Sequence, residues 1–170
     1  MDHFARLGLP AALELEPASL DRAYFALQRQ WHPDRFVARP PDERARASSE
    51  AAALNDAYRT LKDPLSRAVY FAELHGVELP GDGKTIDDPD LLMEAMEARE
   101  ELHEAGTAEV VDSLATKARD DMKNSLSALG GLFAAEDKPA IRKALLRLRY
   151  LDKFAEEARA RRMNLERSRA

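Results

Sequence analysis

The sequence predicts an all-α protein made of two helical modules, and three observations carry that prediction. Apolar residues recur at the 3.6-residue period along most of the chain, and the two-residue alternation of strands is absent. Alanine is abundant, and helix-start and helix-stop residues punctuate the chain. The turn-rich stretch from Gly76 to Thr85 separates two helical halves. The boundaries expected are 1–76 for the first module, 77–87 for a linker and 88–170 for the second. With 45% hydrophobic and 34% charged residues over 170 positions, the chain can pack a core and does not fit the disordered class.

Several function classes are excluded or disfavoured. No apolar run approaches the ~20 residues of a membrane span. The start, Met1-Asp2-His3-Phe4, lacks the basic and apolar regions of a signal peptide. There are no cysteines, so disulfides and thiolate metal sites are ruled out; a reducing, cytoplasmic setting fits. The net charge of -5 argues against nucleic-acid binding. The charges are unevenly spread: Asp87 to Glu104 holds eight acids against Arg99, and Lys138 to Ala170 holds eleven bases against four acids. One acidic and one basic helix suggest pairing within the chain, a partner surface, or both.

The elements follow in order. Asp2 to Leu9 is expected as a short helix ended by Gly8 and Pro10. Pro17-Ala18-Ser19 signals the next start, with Ser19 as N-cap. Leu20, Tyr24, Leu27 and Trp31 then form one apolar stripe, with Arg22 and Arg29 on another face. That helix must stop near Trp31 or His32, because the residue before a proline is pushed out of helical geometry. After Pro40-Pro41, a second long helix carries Ala47, Ala51, Leu54, Tyr58 and Leu61. Two such helices make an antiparallel hairpin whose loop, His32-Pro33-Asp34, projects from one end. A short helix opens at Pro64 and closes at Gly76.

The loop admits several readings. His32 beside Asp34 is a candidate proton-transfer pair, yet no Ser, Cys or second base lies nearby. A metal site needs more ligands, and His3, His75 and His103 are scattered without ligand spacing. A rigid turn is the structural alternative, with Pro33 fixing φ and Asp34 bonding locally. The wider context favours another reading. The tripeptide, Asn55-Asp56-Ala57-Tyr58-Arg59-Thr60-Leu61 and Asp63-Pro64-Leu65-Ser66-Arg67-Ala68-Val69-Tyr70 occur in that order, an ensemble that closely resembles the J-domain family. The resemblance implies a loop of His32, Pro33 and Asp34 that engages a DnaK-type ATPase chaperone and stimulates its hydrolysis. Arg22, Arg29 and Arg35 become candidate contacts to an acidic patch on that partner. The alternative for Arg22 and Arg29 is ordinary solvated surface. The long Gly/Phe-rich stretch and cysteine zinc module of the general J-proteins are missing, which implies a specialised adaptor.

The second half predicts three helices with short connections, a small antiparallel bundle. Asp88 caps the first and Pro89 occupies its first position; Thr107 caps the second, and Pro139 opens the third. The second carries Leu114, Ala118, Met122, Leu126, Leu129 and Phe133, with Gly130-Gly131 as a kink or weak spot. The third carries Ile141, Leu145, Leu148, Leu151, Ala155 and Ala158, with Tyr150 off that stripe and expected part-exposed. At ~100° per residue, Leu91, Ala95, Ala98 and Leu102 share the core side of the Asp88 helix. Met93, Met96, Glu97, Glu100 and Glu104 fall opposite, with Leu92 flanking. Methionines ringed by charge on an outer face suggest an adaptable partner-binding patch. The alternative is contact with the J-domain or the last helix.

A narrower resemblance now applies. Leu91-Leu92-Met93-Glu94-x-Met96-Glu97-x-Arg99-Glu100-Glu101-Leu102-x-Glu104, Leu148-Arg149-Tyr150-Leu151-Asp152-Lys153 and the opening Asp2-His3-Phe4 through Gly8-Leu9-Pro10 are similar to the HscB co-chaperone family. It implies an L-shaped arrangement of J-domain and three-helix bundle. It also implies a non-enzymatic protein, without a cofactor or metal of its own, that binds an IscU-type iron–sulfur scaffold and delivers it to an HscA-type chaperone. Scaffold binding would fall on Leu92, Met93, Met96, Glu97, Glu100, Glu104 and Tyr150. Met96 stands where the family often has leucine and Tyr150 where it often has phenylalanine; both keep an apolar body. A general J-protein adaptor with another client, and a plain helical interaction protein, are the other readings.

Overall fold

A computed structural model of the chain describes residues 1–81, 84 and 86–169. Asp82, Gly83 and Thr85 of the expected linker, and Ala170 of the second module, lie outside the described residues. The all-helical expectation is borne out: α1 (His3–Arg6), α2 (Pro17–Trp31), a 3-10 turn (Pro33–Phe36), α3 (Pro41–Lys62), α4 (Pro64–Leu74), α5 (Pro89–Glu104), α6 (Ala108–Ala134) and α7 (Lys138–Arg169). Contacts divide the chain between His75 and Gly76 into two compact units. None of the described helices is long and apolar enough to cross a membrane.

In the first unit α3 is central: α1, α2, α4 and the 3-10 turn all pack on it. Phe4, Leu7, Leu20, Leu54, Ala57 and Leu61 form the core, with Tyr24, Leu27, Trp31 and Phe71 against them. Each buried leucine removes enough apolar surface from water to contribute ~1.5–3 kcal/mol. The antiparallel sense of α2 and α3 is visible in their polar ties. The Tyr58 hydroxyl donates to Asp21 (2.7 Å) and the Tyr24 hydroxyl to Asn55 (2.7 Å), so one sequence number rises as the other falls. Between these ties the Tyr24 and Tyr58 rings stack at 4.0 Å.

Two local expectations are corrected. Ser19 is not the N-cap of α2: Pro17, whose φ is preset for a first helical position, starts the helix earlier, with Glu16 as N-cap. Ser19 instead donates its hydroxyl to the Glu16 carboxylate. The opening helix also stops at Arg6 rather than Leu9, because Leu7 and Gly8 (φ +66°) turn the chain out of it.

In the second unit α6 and α7 pack along one another, and α5 lies on α7 rather than on α6. Leu102, Ala105, Val111, Ala118, Leu151, Phe154 and Ala158 form a shared core. Asp88 caps α5 by accepting from the backbone N–H of Asp90 (3.0 Å) and Leu91 (3.1 Å), and Thr107 caps α6 through Val110. Helix α6 runs unbroken through Gly130 and Gly131. The acidic and basic runs meet: Arg142 grips Asp87 with both guanidinium nitrogens (3.0 and 2.6 Å). Lys143 lies near Asp88 and Asp90, and Arg147 grips Glu94 (3.1 and 2.8 Å).

Candidate functional sites

The first site grows from the proline after His32. His32 leaves helical geometry at ψ 128°, and Pro33 opens the 3-10 turn as its first residue. The His32 Nδ1 accepts the Asp34 backbone N–H at 3.3 Å, so the imidazole itself caps the turn. The Asp34 carboxylate stands 3.6 Å from the same nitrogen. His32, Pro33 and Asp34 are all exposed, so the tripeptide is both shaped and accessible.

Neighbours fix the turn further. The Arg35 guanidinium donates to the Arg29 carbonyl (3.1 Å), satisfying one of the open carbonyls at the end of α2. The Trp31 and Phe36 rings stack nearly parallel (6.0 Å, 5°) across the loop, and the Arg46 guanidinium of α3 lies 5.7 Å from the Trp31 ring. Arg35 therefore positions the loop besides carrying charge. Arg22 and Arg29 are exposed on the outer face of α2. Arg22 is partly committed: it donates to Ser19 (2.8 Å) and lies 3.7 Å from Glu16. The other first-unit histidines have structural partners. His3 stacks on Tyr70, and the His75 Nδ1 meets the Phe71 carbonyl at 2.7 Å. The roles of Trp31, Phe36 and Arg46 escaped sequence reasoning, although an aromatic on each side of a proline turn was the available signal.

The second site lies on α5. Leu91 and Leu102 are the buried residues of α5, and Met93 and Met96 stand outward at 64% and 62% exposure. Leu92 is half-buried at the edge. Glu97, Glu100 and Glu104 are exposed, with no ion pair or side-chain hydrogen bond among the described residues. The acidic run thus divides. Its first part, Asp87 to Glu94, is bound by α7, while the later glutamates remain open to solvent.

Tyr150 belongs partly to the fold. Its half-buried ring packs on the bundle core, and its hydroxyl reaches toward Glu94 at 3.4 Å. Burial pushes its phenol pKa up. The Arg147 hydrogen bonds hold the Glu94 carboxyl below its ordinary range, and the Arg147 guanidinium is raised in turn. Because α5 leans on α7, a groove of about 290 Å³ opens over Ala98, Leu114 and Phe154, and Glu97 and Tyr150 both line it. The structure therefore brings Tyr150 and Glu97 together, with the methionines on the adjoining outer face. Glu94 and Arg147 are the residues that sequence reasoning missed here; the opposed charge runs carried the signal without the pairing.

Both sites present exposed side chains on a surface. A DnaJ domain model matches residues 2–70, and a model described as the HSCB C-terminal oligomerisation domain matches residues 87–159. The co-chaperone protein HscB homolog of Burkholderia multivorans is 38% identical over 167 residues, 96% of this chain and 95% of the relative. Chaperone HscB from Vibrio cholerae superposes with a TM-score of 0.83 at 35% identity, covering 97% of this chain and 99% of the other. Human co-chaperone protein HscB superposes with a TM-score of 0.87 at 28% identity, covering 96% and 83%. The chain belongs to the HscB family, J-domain co-chaperones of iron–sulfur cluster assembly.

Proposed function

We propose that the chain binds an IscU-type scaffold through the outer face of α5 and Tyr150, and delivers it to an HscA/DnaK-type chaperone. The His32-Pro33-Asp34 loop, with Arg22, Arg29 and Arg35, stimulates that partner's ATPase. The expected division of labour is a J-domain at 1–76, a linker at 77–87 and a scaffold-binding bundle at 88–170. The observation that carries the reading is the pair Met93 and Met96, standing more than half exposed among unpaired glutamates. Such a patch has no folding reason and suits a partner that brings apolar groups and cations.

In mechanism the chain performs no bond chemistry of its own. The J-domain presents a shaped loop and nearby cations, which fix the register of docking on an acidic surface. Tethering scaffold and trigger on one chain raises the effective concentration of each at the chaperone. The proposed setting is the cytoplasm. Calorimetric titration with an IscU-type scaffold tests the central claim. Saturable binding at micromolar concentrations is expected, and absence of heat at tens of micromolar would give the bundle to another client.

A further inference from the structure

The loop is not the only unusual feature of the first unit. Among the described phenylalanines, tyrosines and tryptophan, Phe25 is the most exposed, at 52%. It sits on α2, the helix that delivers the loop. At ~100° per residue, the core side of α2 is set by the buried Leu20 and by Leu27 and Trp31 packed on the first-unit core. Phe25 falls about 140° from Leu20, Arg29 about 180° and Arg22 about 200°. The ring thus stands among the two outward arginines, opposite the core. Its recorded ring neighbour is Tyr24, at 5.2 Å and tilted by 57°. The cation–π contacts of the described residues lie elsewhere, on Trp31 and Tyr58, and Arg22 turns to Ser19 and Glu16. No cation therefore covers the face of Phe25. Phenylalanine has poorer helix propensity than alanine or lysine, so local structure does not ask for it here.

We propose that Phe25 is an apolar anchor of the chaperone-facing surface. Its occupant is the DnaK-type ATPase itself, at a patch where an apolar spot is bordered by carboxylates. This rests on the J-domain reading of the loop. The chemistry separates two contributions. Arg22 and Arg29 supply attraction that is screened by salt and weighs mainly on encounter. Phe25, held by a rigid helix, contributes contact that excludes water and is insensitive to salt. A central aromatic flanked by arginines is the composition of an interface hot spot. The side chain would then discriminate among chaperones, since one lacking the apolar spot gains nothing from it.

The test is titration of an HscA-type chaperone's ATPase with the full chain at about 0.05 M and about 0.5 M salt. Phe25→Ala is expected to raise the half-stimulating concentration about tenfold, equally at both salts, with maximal stimulation retained. Phe25→Leu should recover most of the loss. Arg22→Ala should show a deficit that shrinks at high salt. Circular dichroism should be unchanged throughout, because the ring is not part of the core. A Phe25→Ala variant that matches the parent, or whose deficit disappears with salt, overturns the inference and leaves the J-domain reading standing. A parent chain that stimulates no more than His32→Gln removes that reading, and the inference with it.

Discussion

The loop of the first unit and the α5 face of the second solve the same problem differently. Each must hold exposed side chains in one arrangement for a partner. The loop does so from within: proline fixes the entry, His32 caps the turn, and Trp31, Phe36, Arg35 and Arg46 brace it over a span of sixteen residues. The α5 face is an ordinary helix whose outer side chains are free, and its placement comes from the burial of Leu91 and Leu102 and from the Glu94–Arg147 pair with α7. A trigger needs a fixed shape, and here local caps and ring stacking are joined by a brace from α3. A carrier of clients gains from adaptable methionines on a fixed rod. The difference predicts that the two sites fail separately.

The largest effect is expected at the loop. His32→Gln should abolish ATPase stimulation while leaving scaffold affinity unchanged and the first unit folded, at a stability cost no larger than the ~1 kcal/mol of a lost cap, since the ring is exposed and outside the core. Single-turnover hydrolysis and calorimetry on the same preparation check both halves. Full stimulation by this variant would falsify the trigger role.

Next comes the α5 face. Met93→Ala with Met96→Ala should weaken scaffold binding by about ten- to a hundredfold, with stability within ~0.5 kcal/mol of the parent and stimulation of the free chaperone intact. A large drop in melting temperature would show instead that the methionines belong to the fold.

The contrast between the sites also governs what the sequence could show. Periodicity identified which side of each helix is buried, because Leu91, Leu102, Leu145 and Leu148 must face inward whatever their neighbour is. Asp88-Pro89 and Thr107 announced their helices because capping is local chemistry. Periodicity does not say which helix receives a buried face, so α5's preference for α7, and the groove this leaves, stayed hidden. The same limit separated two sets of acids that look alike in sequence. Only the fold commits Glu94 to Arg147 and leaves Glu97 free. The brace on the loop was missed for a related reason, since Arg46 reaches Trp31 only once the hairpin has formed.

A smaller effect tests whether the bundle is a rod in its own right. Gly130 and Gly131 lie inside an unbroken α6, with nothing within 4 Å of where a Cβ would sit. Replacing both with alanine should raise stability by up to ~1 kcal/mol each. Denaturant unfolding reads the gain. Scaffold affinity should not move if α5 takes its placement from α7 alone, and a change in affinity would show that α6 stiffness also reaches the client face.

The smallest effect concerns the ion pair that ties α5 to α7. The Glu94 pKa is lowered in the folded chain, first by hydrogen bonding from Arg147. A depressed carboxylate contributes stability that is fully present above its unfolded value, near ~4.3, and is lost as pH falls through the folded value. The two side chains are 42% and 34% exposed, so solvent screening limits the pair to ~0.2–1 kcal/mol. Glu94→Gln should therefore melt slightly below the parent at neutral pH, and the gap should close as the pH drops below ~4. Arg147→Met should behave alike, and the double variant should lose little more than either single one. The informative readout is scaffold affinity at neutral pH. If the α5 face is held by α7, both single variants should weaken binding by a small factor without touching ATPase stimulation by the loop. Equal affinity in all three variants would mean that the leucine contacts alone orient the helix.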